Sequence, residues 1–446
     1  MNFREHIGPD DIVITGYGAI TPLGHDAESY YQSLLRGESA VGFLEPELGV
    51  DGMRWLGSII RGFDPKQHVQ PRKTIKVMCR EIQLGFGAAM QACKMASIVA
   101  GTVDPDRLGT VFSGEVIFSE TVDIESIVRL CAANGQMNHG RWATEAIENM
   151  YPLWMLKALP NMAACHVGIA LDARGPNNTI TTLGTSGLNA VLEAINVIRR
   201  GKADVMVIGS AASQNTFSRM LQRYEEDYSK AYTSPSTACK PFDKDRDGSV
   251  SGESASSVIL ERRSHAEARG ATVLGAVTAW ANTFGKSMNG RWSGTQNSTE
   301  RTLSYLLERS SLGVNEIDHV NASANGSIAC DAGESRGIAN ILRDVPVVSY
   351  KGAIGDSISG SGLVEWIASL AGMRAGAIPP TPNHESTAAD CPVNVISKTP
   401  KPLTAPNAIK LSQTHQGHCV GIVFSGVAAS SGVAASTGFA ASTVDH

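Results

Sequence analysis

Several kinds of feature are missing from this chain, and each absence excludes a class of protein. The eight cysteines (79, 93, 131, 165, 239, 330, 391 and 419) form no CxxC pair. A zinc ribbon or a disulfide framework is therefore not expected, and the thiols read as reduced, as in a cytoplasmic protein. No apolar run reaches the roughly 18 residues that a membrane-spanning helix needs. The opening MNFREHIGPDD has no apolar stretch of the secretory kind, so no signal peptide is expected. Basic clusters are missing too. With 38 Lys+Arg against 43 Asp+Glu and a net charge of −5, nothing suggests a nucleic-acid partner. What the chain does have is glycine, 45 in 446 residues, which suits many tight strand–helix turns. A hydrophobic content of 42% with 18% charged residues is enough for a large core, as two domains or one duplicated unit.

The order of patterns argues an α/β fold. DIVITGYGAITP (11–22) opens as an apolar strand that breaks at Gly16 and Gly18, and a helix follows at about 26–36. Residues 74–97 carry small and apolar side chains over most of their surface, predicting a helix buried against a neighbouring subunit or within the core. LGTVFSG (108–114) predicts a buried strand, and the region to about 157 looks irregular. ADVMVIGSAA (203–212) has the apolar run of a central parallel strand. KPFDKDRDG precedes a further strand; its aspartates alternate but lack the closing glutamate of a calcium loop, so no metal is expected. A second half repeats the scheme, with helices at about 299–312, 332–343 and 361–375 and strands at 317–323, 345–349 and 419–424. The expected boundaries are 1–270, 271–424 and a flexible Ala/Ser/Gly tail from 425 to 446.

The most informative stretch is GPNNTITTLGTSGLNA (175–190). A β-branched run, Thr179 to Thr182, meets a turn at Gly184, and a helix predicted from Ser186 ends in Arg199–Arg200. Such an elbow aims one side chain at a helix N-terminus, where unpaired N–H groups favour a thiolate or an oxyanion. Glycine stands at this apex. Neighbouring candidates carry blander readings: Cys165 and His166 as packed side chains, and Arg199, Arg200 and Lys202 as solvated helix-end charges that could also face an acidic partner.

Collinear segments over residues 11–424 resemble the elongating β-ketoacyl-ACP synthases. They are VITGYGAITPLG, LPNMAACHVGIALDARGPN, ADVMVIGSA, KPFDKDRDGSVSGESA, VNASANGS, KGAIGDSISGSG and LSQTHQGHCVGIVF. The resemblance implies a thiolase-like α/β fold with a duplicated five-layer αβαβα architecture and no cofactor. It also implies that Gly184 stands where the family has its nucleophilic cysteine, and Ser323 and Asp356 where it has two histidines. Lys351 is retained, as are the surrounding Asp331, Glu334 and Glu365. The glycine-rich gating loop reads Thr414–His415–Gln416–Gly417, with only Gly417 kept, and Asn325 joins the implied substrate pocket. Condensation needs a thiolate to take the acyl chain and neutral imidazoles to stabilise an enolate. Glycine cannot form a thioester, so ordinary condensation is not expected.

Within that family the chain is similar to the chain-length factors, the KSβ subunits of type II polyketide synthases, which lose the cysteine and pair with an active ketosynthase. This implies a heterodimer that shapes an acyl cavity served by an acyl carrier protein. One departure is that such subunits carry glutamine at the apex. An alternative is redirected acyl-thioester chemistry (hydrolase, cyclase or acyltransferase) using Ser323, Asp356 and His415. A further alternative is an inert homodimer.

Overall fold

The computed structural model describes residues 11–44, 55–115, 122–216, 219, 228–286 and 291–427. Eleven strands form its large sheet: β1 (Ile12–Ile20), β2 (Leu108–Ser113), β3 (Asn177–Ile180), β4 (Val205–Ser213), β5 (Glu253–Arg262), β6 (Gly275–Phe284), β7 (Ile317–Asn321), β8 (Pro346–Val348), β9 (Asn394–Val395), β10 (Asn407–Gln413) and β11 (His418–Gly426). Two equivalent halves are visible in the strand order. The first half runs β3-β2-β4-β5-β1, and the second runs β8-β7-β10-β11-β6 with β9 added outside β8. Even the directions repeat. β2 pairs parallel with β3 and β4, as β7 does with β8 and β10. The next two strands then turn antiparallel in both halves. Within the sheet, among the described residues, Ile12–Ile14 of β1 against Gly275–Val277 of β6 joins the halves.

The helices are α1 (Ala27–Leu35), α2 (Arg80–Met95), α3 (Val122–Cys131), α4 (His139–Asn149), α5 (Trp154–Ala158), α6 (Met162–Leu171), α7 (Ser186–Arg199), α8 (Arg263–Ala268), α9 (Arg291–Ser310), α10 (Ile328–Leu342), α11 (Lys351–Ile354) and α12 (Ser361–Ala375). Helices α2 and α6 cover the outer face of the first half-sheet, and α9, backed by α10, covers that of the second. Between the sheets lie α7 and α12, giving five layers: helix, sheet, helix, sheet, helix. Every residue of α12 from Ser361 to Met373 is buried, which a helix between two sheets requires. Leu188, Val191 and Ile195 of α7 and Leu363, Trp366 and Leu370 of α12 fill the central core with Ile208, Leu260, Ile422 and Phe424 from the sheets.

Several expectations are corrected. β1 does not break at its glycines. It runs through both with a bulge between Ile14 and Gly16, and they are glycine because α2 lies against the strand, with Ala92 O and Ala88 O 2.3 and 2.4 Å from where their Cβ atoms would stand. The helix expected at 74–97 begins at Arg80 after a 3-10 turn, Arg72–Val77, and packs on β1, β4 and β5 of its own chain. Residues 122–158 hold three helices, α3 to α5, with a short hairpin over 132–137, and are not irregular. The hairpin and the turn before α5 break up the amphipathic pattern of these short helices. α9 and α10 each start earlier than their core pattern indicates. β6 and β10 were not expected as strands. β11 continues to Gly426 with Ser425 buried, so the tail cannot begin at 425; residues 428–446 lie outside the described residues.

Candidate functional site

β3 delivers the chain into a tight turn, and the turn is duplicated. Leu183 has φ of 55° and Ile358, its counterpart before α12, has φ of 58°. Branched residues rarely adopt that region. In each case the residue before donates its N–H to the serine opening the helix: Thr182 to Ser186 Oγ at 2.7 Å, Ser357 to Ser361 Oγ at 3.0 Å. Both elbows are therefore built, and neither presents a thiol.

At Gly184 a Cβ atom would stand 2.4 Å from the carbonyl oxygen of Gln413. That carbonyl is held in place. Gln413 pairs with Cys419 across the β10–β11 hairpin, its N–H donates to Ser323 Oγ at 3.2 Å, and its Nε2 donates to Thr299 Oγ1 at 2.6 Å. The backbone at the end of β10 thus occupies the space where any side chain at the apex would begin. Cysteine and glutamine would both meet the same contact.

Ser323, just past β7, is tied through its backbone: its N–H donates to Glu334 Oε1 at 2.8 Å and its carbonyl accepts from Lys351 Nζ at 2.9 Å. Asp356 works as a cap on the second elbow. Its Oδ1 accepts from Ile358 N–H and Ser361 Oγ, both at 2.9 Å, and its Oδ2 from Asn325 Nδ2 at 2.9 Å. Behind them lies a buried charge cluster. Glu365 accepts from Lys351 Nζ at 3.0 Å and from Lys410 Nζ at 2.6 Å. Lys410 also donates to Asn321 Oδ1 and Ala322 O. Burial pulls Lys410 down to about 8, with Glu365 opposing. Lys351 is also depressed by burial, but Glu365 and Asp356 more than offset this and raise it. Burial pushes Glu334 up to about 7 and Asp331 up to about 6, each held back by backbone N–H donors.

Gly184, Ser323, Asn325, Lys351, Asp356 and His415 line one cavity of about 290 Å³. Gly417 does not; with φ of 95° it is the turn glycine of the β10–β11 hairpin, packed against Gly285 O. Sequence reasoning missed Glu115, Gln214, Arg219 and Ser412, which line the same cavity, and Lys410 behind it. A charge directly after a buried strand (Glu115) and a lysine inside an apolar one (Lys410) were available signals. His418 was missed as well: Nδ1 meets Thr185 Oγ1 at 2.9 Å and Nε2 meets Asn282 Oδ1 at 2.8 Å, facing an outer cleft beside Asn189 and Trp280. A Ser369–His319–Asp318 array has triad-like spacing, 3.0 and 2.9 Å, but all three are wholly buried and cannot meet substrate.

The remaining candidates are structural. Asp243 of the DKDRDG loop accepts from the N–H groups of Asp245, Glu385 and Ser386, which makes the loop a turn. His166 is buried, and burial lowers its pKa; burial raises the half-buried Cys165 thiol. Arg199 lies over the Trp280 ring at 5.2 Å, and Arg200 approaches Glu193 at 3.8 Å.

Residues 9–266 match the β-ketoacyl synthase N-terminal domain and residues 274–385 its C-terminal domain. The 3-oxoacyl-[acyl-carrier-protein] synthase 2 of Synechocystis sp. is 27% identical over 425 residues, covering 93% of this chain and 97% of that protein. A β-ketoacyl synthase from Burkholderia phymatum superposes with a TM-score of 0.81 at 24% identity, covering 94% of this chain and all of the other. The ishigamide ketosynthase/chain length factor superposes at 0.77 with 23% identity, covering 94% and 99%.

Proposed function

The chain belongs to the β-ketoacyl synthase family, and we propose that it is a non-condensing member: a chain-length-factor-like subunit in fatty-acid or polyketide biosynthesis, paired with an active ketosynthase. The observation that carries this is the Gln413 carbonyl in the space of the apex side chain. A chain that had only lost its cysteine would keep room for one. Here the end of β10 has closed over the place, and the cavity remains. A subunit without a nucleophile contributes by enclosing and positioning an acyl group that a carrier protein presents.

Two surfaces favour a partner. Strand β3 is an open edge of the sheet, and the Thr179 N–H bonds Asn178 Oδ1 rather than another strand. Helices α3 to α5 expose Val128, Leu130, Ile147, Leu153 and Met155, a concentration unusual for a free surface. Two-fold pairing through these faces would join this chain to an active homologue, or to itself in the inert-homodimer reading. The halves 1–270 and 271–424 act as one body in this proposal, in the cytoplasm. Redirected catalysis draws less support, because Asp356 spends both oxygens on Asn325, Ile358 and Ser361.

The test is co-expression with a ketosynthase carrying an intact cysteine elbow. A stable mixed dimer whose product length changes with substitutions in this chain's cavity supports the proposal. A lone homodimer that turns over acyl thioesters, with loss in Ser323→Ala, overturns it.

A further inference from the structure

The cavity is polar where a hydrocarbon chain would need it apolar. Glu115, on the segment leaving β2, is 5% exposed. Its Oε1 accepts from Gln214 Nε2 at 3.1 Å and from the Ser359 N–H at 3.4 Å, and its Oε2 lies 3.7 Å from the Arg219 guanidinium. An ion pair with a side-chain amide therefore forms one wall. Ser412 also lines the cavity, but its Oγ is packed against Gly362 and is wholly buried. The Ser323 Oγ accepts from Gln413 N–H and keeps its own proton to give.

An alkyl chain entering this space would strip water from Glu115 and Arg219 and return nothing. The two charges oppose each other, so the wall does not select a net charge on the ligand. What it does offer is hydrogen bonding to a neutral ligand. From this we infer that the cavity takes a short acyl group bearing hydroxyl or carbonyl oxygens, in preference to a saturated one of equal length. This inference rests on the cavity-enclosing role proposed above. Ser323 serves as the donor to the ligand oxygen nearest the elbow, and Glu115 with Gln214 holds one further along.

The probes are S-butyryl- and S-(3-hydroxybutyryl)-N-acetylcysteamine, titrated by calorimetry into the full chain alone and into its co-purified complex. The hydroxylated thioester should bind about tenfold tighter or better, since a site built around hydrogen bonds rejects the analogue lacking them. Glu115→Leu/Arg219→Met should cancel or reverse that preference, and the near-isosteric Glu115→Gln, checked by its melting temperature, should reduce it. Equal or tighter binding of the butyryl thioester to wild type overturns the inference, as does binding of neither probe. A preference unchanged in the double variant also overturns it. Mixed-dimer formation is scored on the same preparations. Selectivity without pairing removes the partner role and leaves the ligand class, while pairing without selectivity does the reverse.

Discussion

Replacing Gly184 by alanine adds one carbon, and the structure puts that carbon 2.4 Å from the Gln413 carbonyl oxygen. Ordinary contact needs roughly 1 Å more, and the oxygen is backbone, anchored by the hairpin pairing to Cys419 and the N–H bond to Ser323. The strain is of the overpacking kind, about 1–3 kcal/mol. In a chain of this length that lowers the melting temperature by a few degrees. Gly184→Cys should fall by a similar amount, because the clash lies at the Cβ and not at the sulfur. It should also fail to elongate malonyl-carrier protein, since Ser323 and Asp356 supply no imidazole. Thermal melts of both variants beside wild type, with mass spectrometry of carrier-bound products, test both parts. A Gly184→Ala variant as stable as wild type would show that the end of β10 yields freely and that the closed elbow is not a constraint. Malonyl-dependent elongation by Gly184→Cys alone would falsify the claim that the changes at Ser323 and Asp356 also block condensation.

Further perturbations bear on the supporting structure. Glu365→Ala leaves Lys351 and Lys410 without their shared carboxylate and should cost about 3–5 kcal/mol, read by urea unfolding; a loss under about 1 kcal/mol would mean the cluster is not ionised as described. Glu334 holds its proton in the folded state up to about 7 against 4.5 for the free group. Its stabilising effect is complete below 4.5 and fades as pH rises to about 7, by up to roughly 3 kcal/mol. Glu334→Gln should therefore flatten the stability profile between pH 5 and 8, and an unchanged slope would contradict the shift. Asp356→Ala should cost about 1–3 kcal/mol through loss of the cap on the second elbow. It should behave as a folding defect in melts, not as loss of a turnover. Thr179→Pro should weaken the dimer in sedimentation velocity while leaving the monomer's circular dichroism intact; an unaffected dimer would place the interface elsewhere.

Local patterns carried the elements whose burial is uniform. β2, β4, β5, α7 and α12 stand almost where their apolar runs and turn glycines put them, because a strand buried on both faces and a helix between sheets each leave a plain composition. β6 and β10 were harder to see. GAVTAWANTF and NAIKLSQ mix exposed threonine and asparagine or a buried lysine with apolar residues, and that lysine is tolerated only because Glu365 lies against it. Helices α3 and α4 are amphipathic and Asn138 caps α4, so a local signal is present there, but a short hairpin and a turn break the stretch into pieces.

For the site, the sequence alone determined that an elbow exists and that its apex lacks a nucleophile, since residue identity at 184, 323 and 356 settles which groups can react. It also gathered Lys351, Asn325 and His415 into one pocket by resemblance. Only the tertiary structure decided what took the vacated space. Any residue type at 413 has a carbonyl, so no spelling of the sequence could reveal that this one stands against Gly184. The polar wall has the same origin. Glu115 follows β2 while Gln214 and Arg219 follow β4, and only the packing of the first half-sheet beneath the second elbow brings them to one cavity.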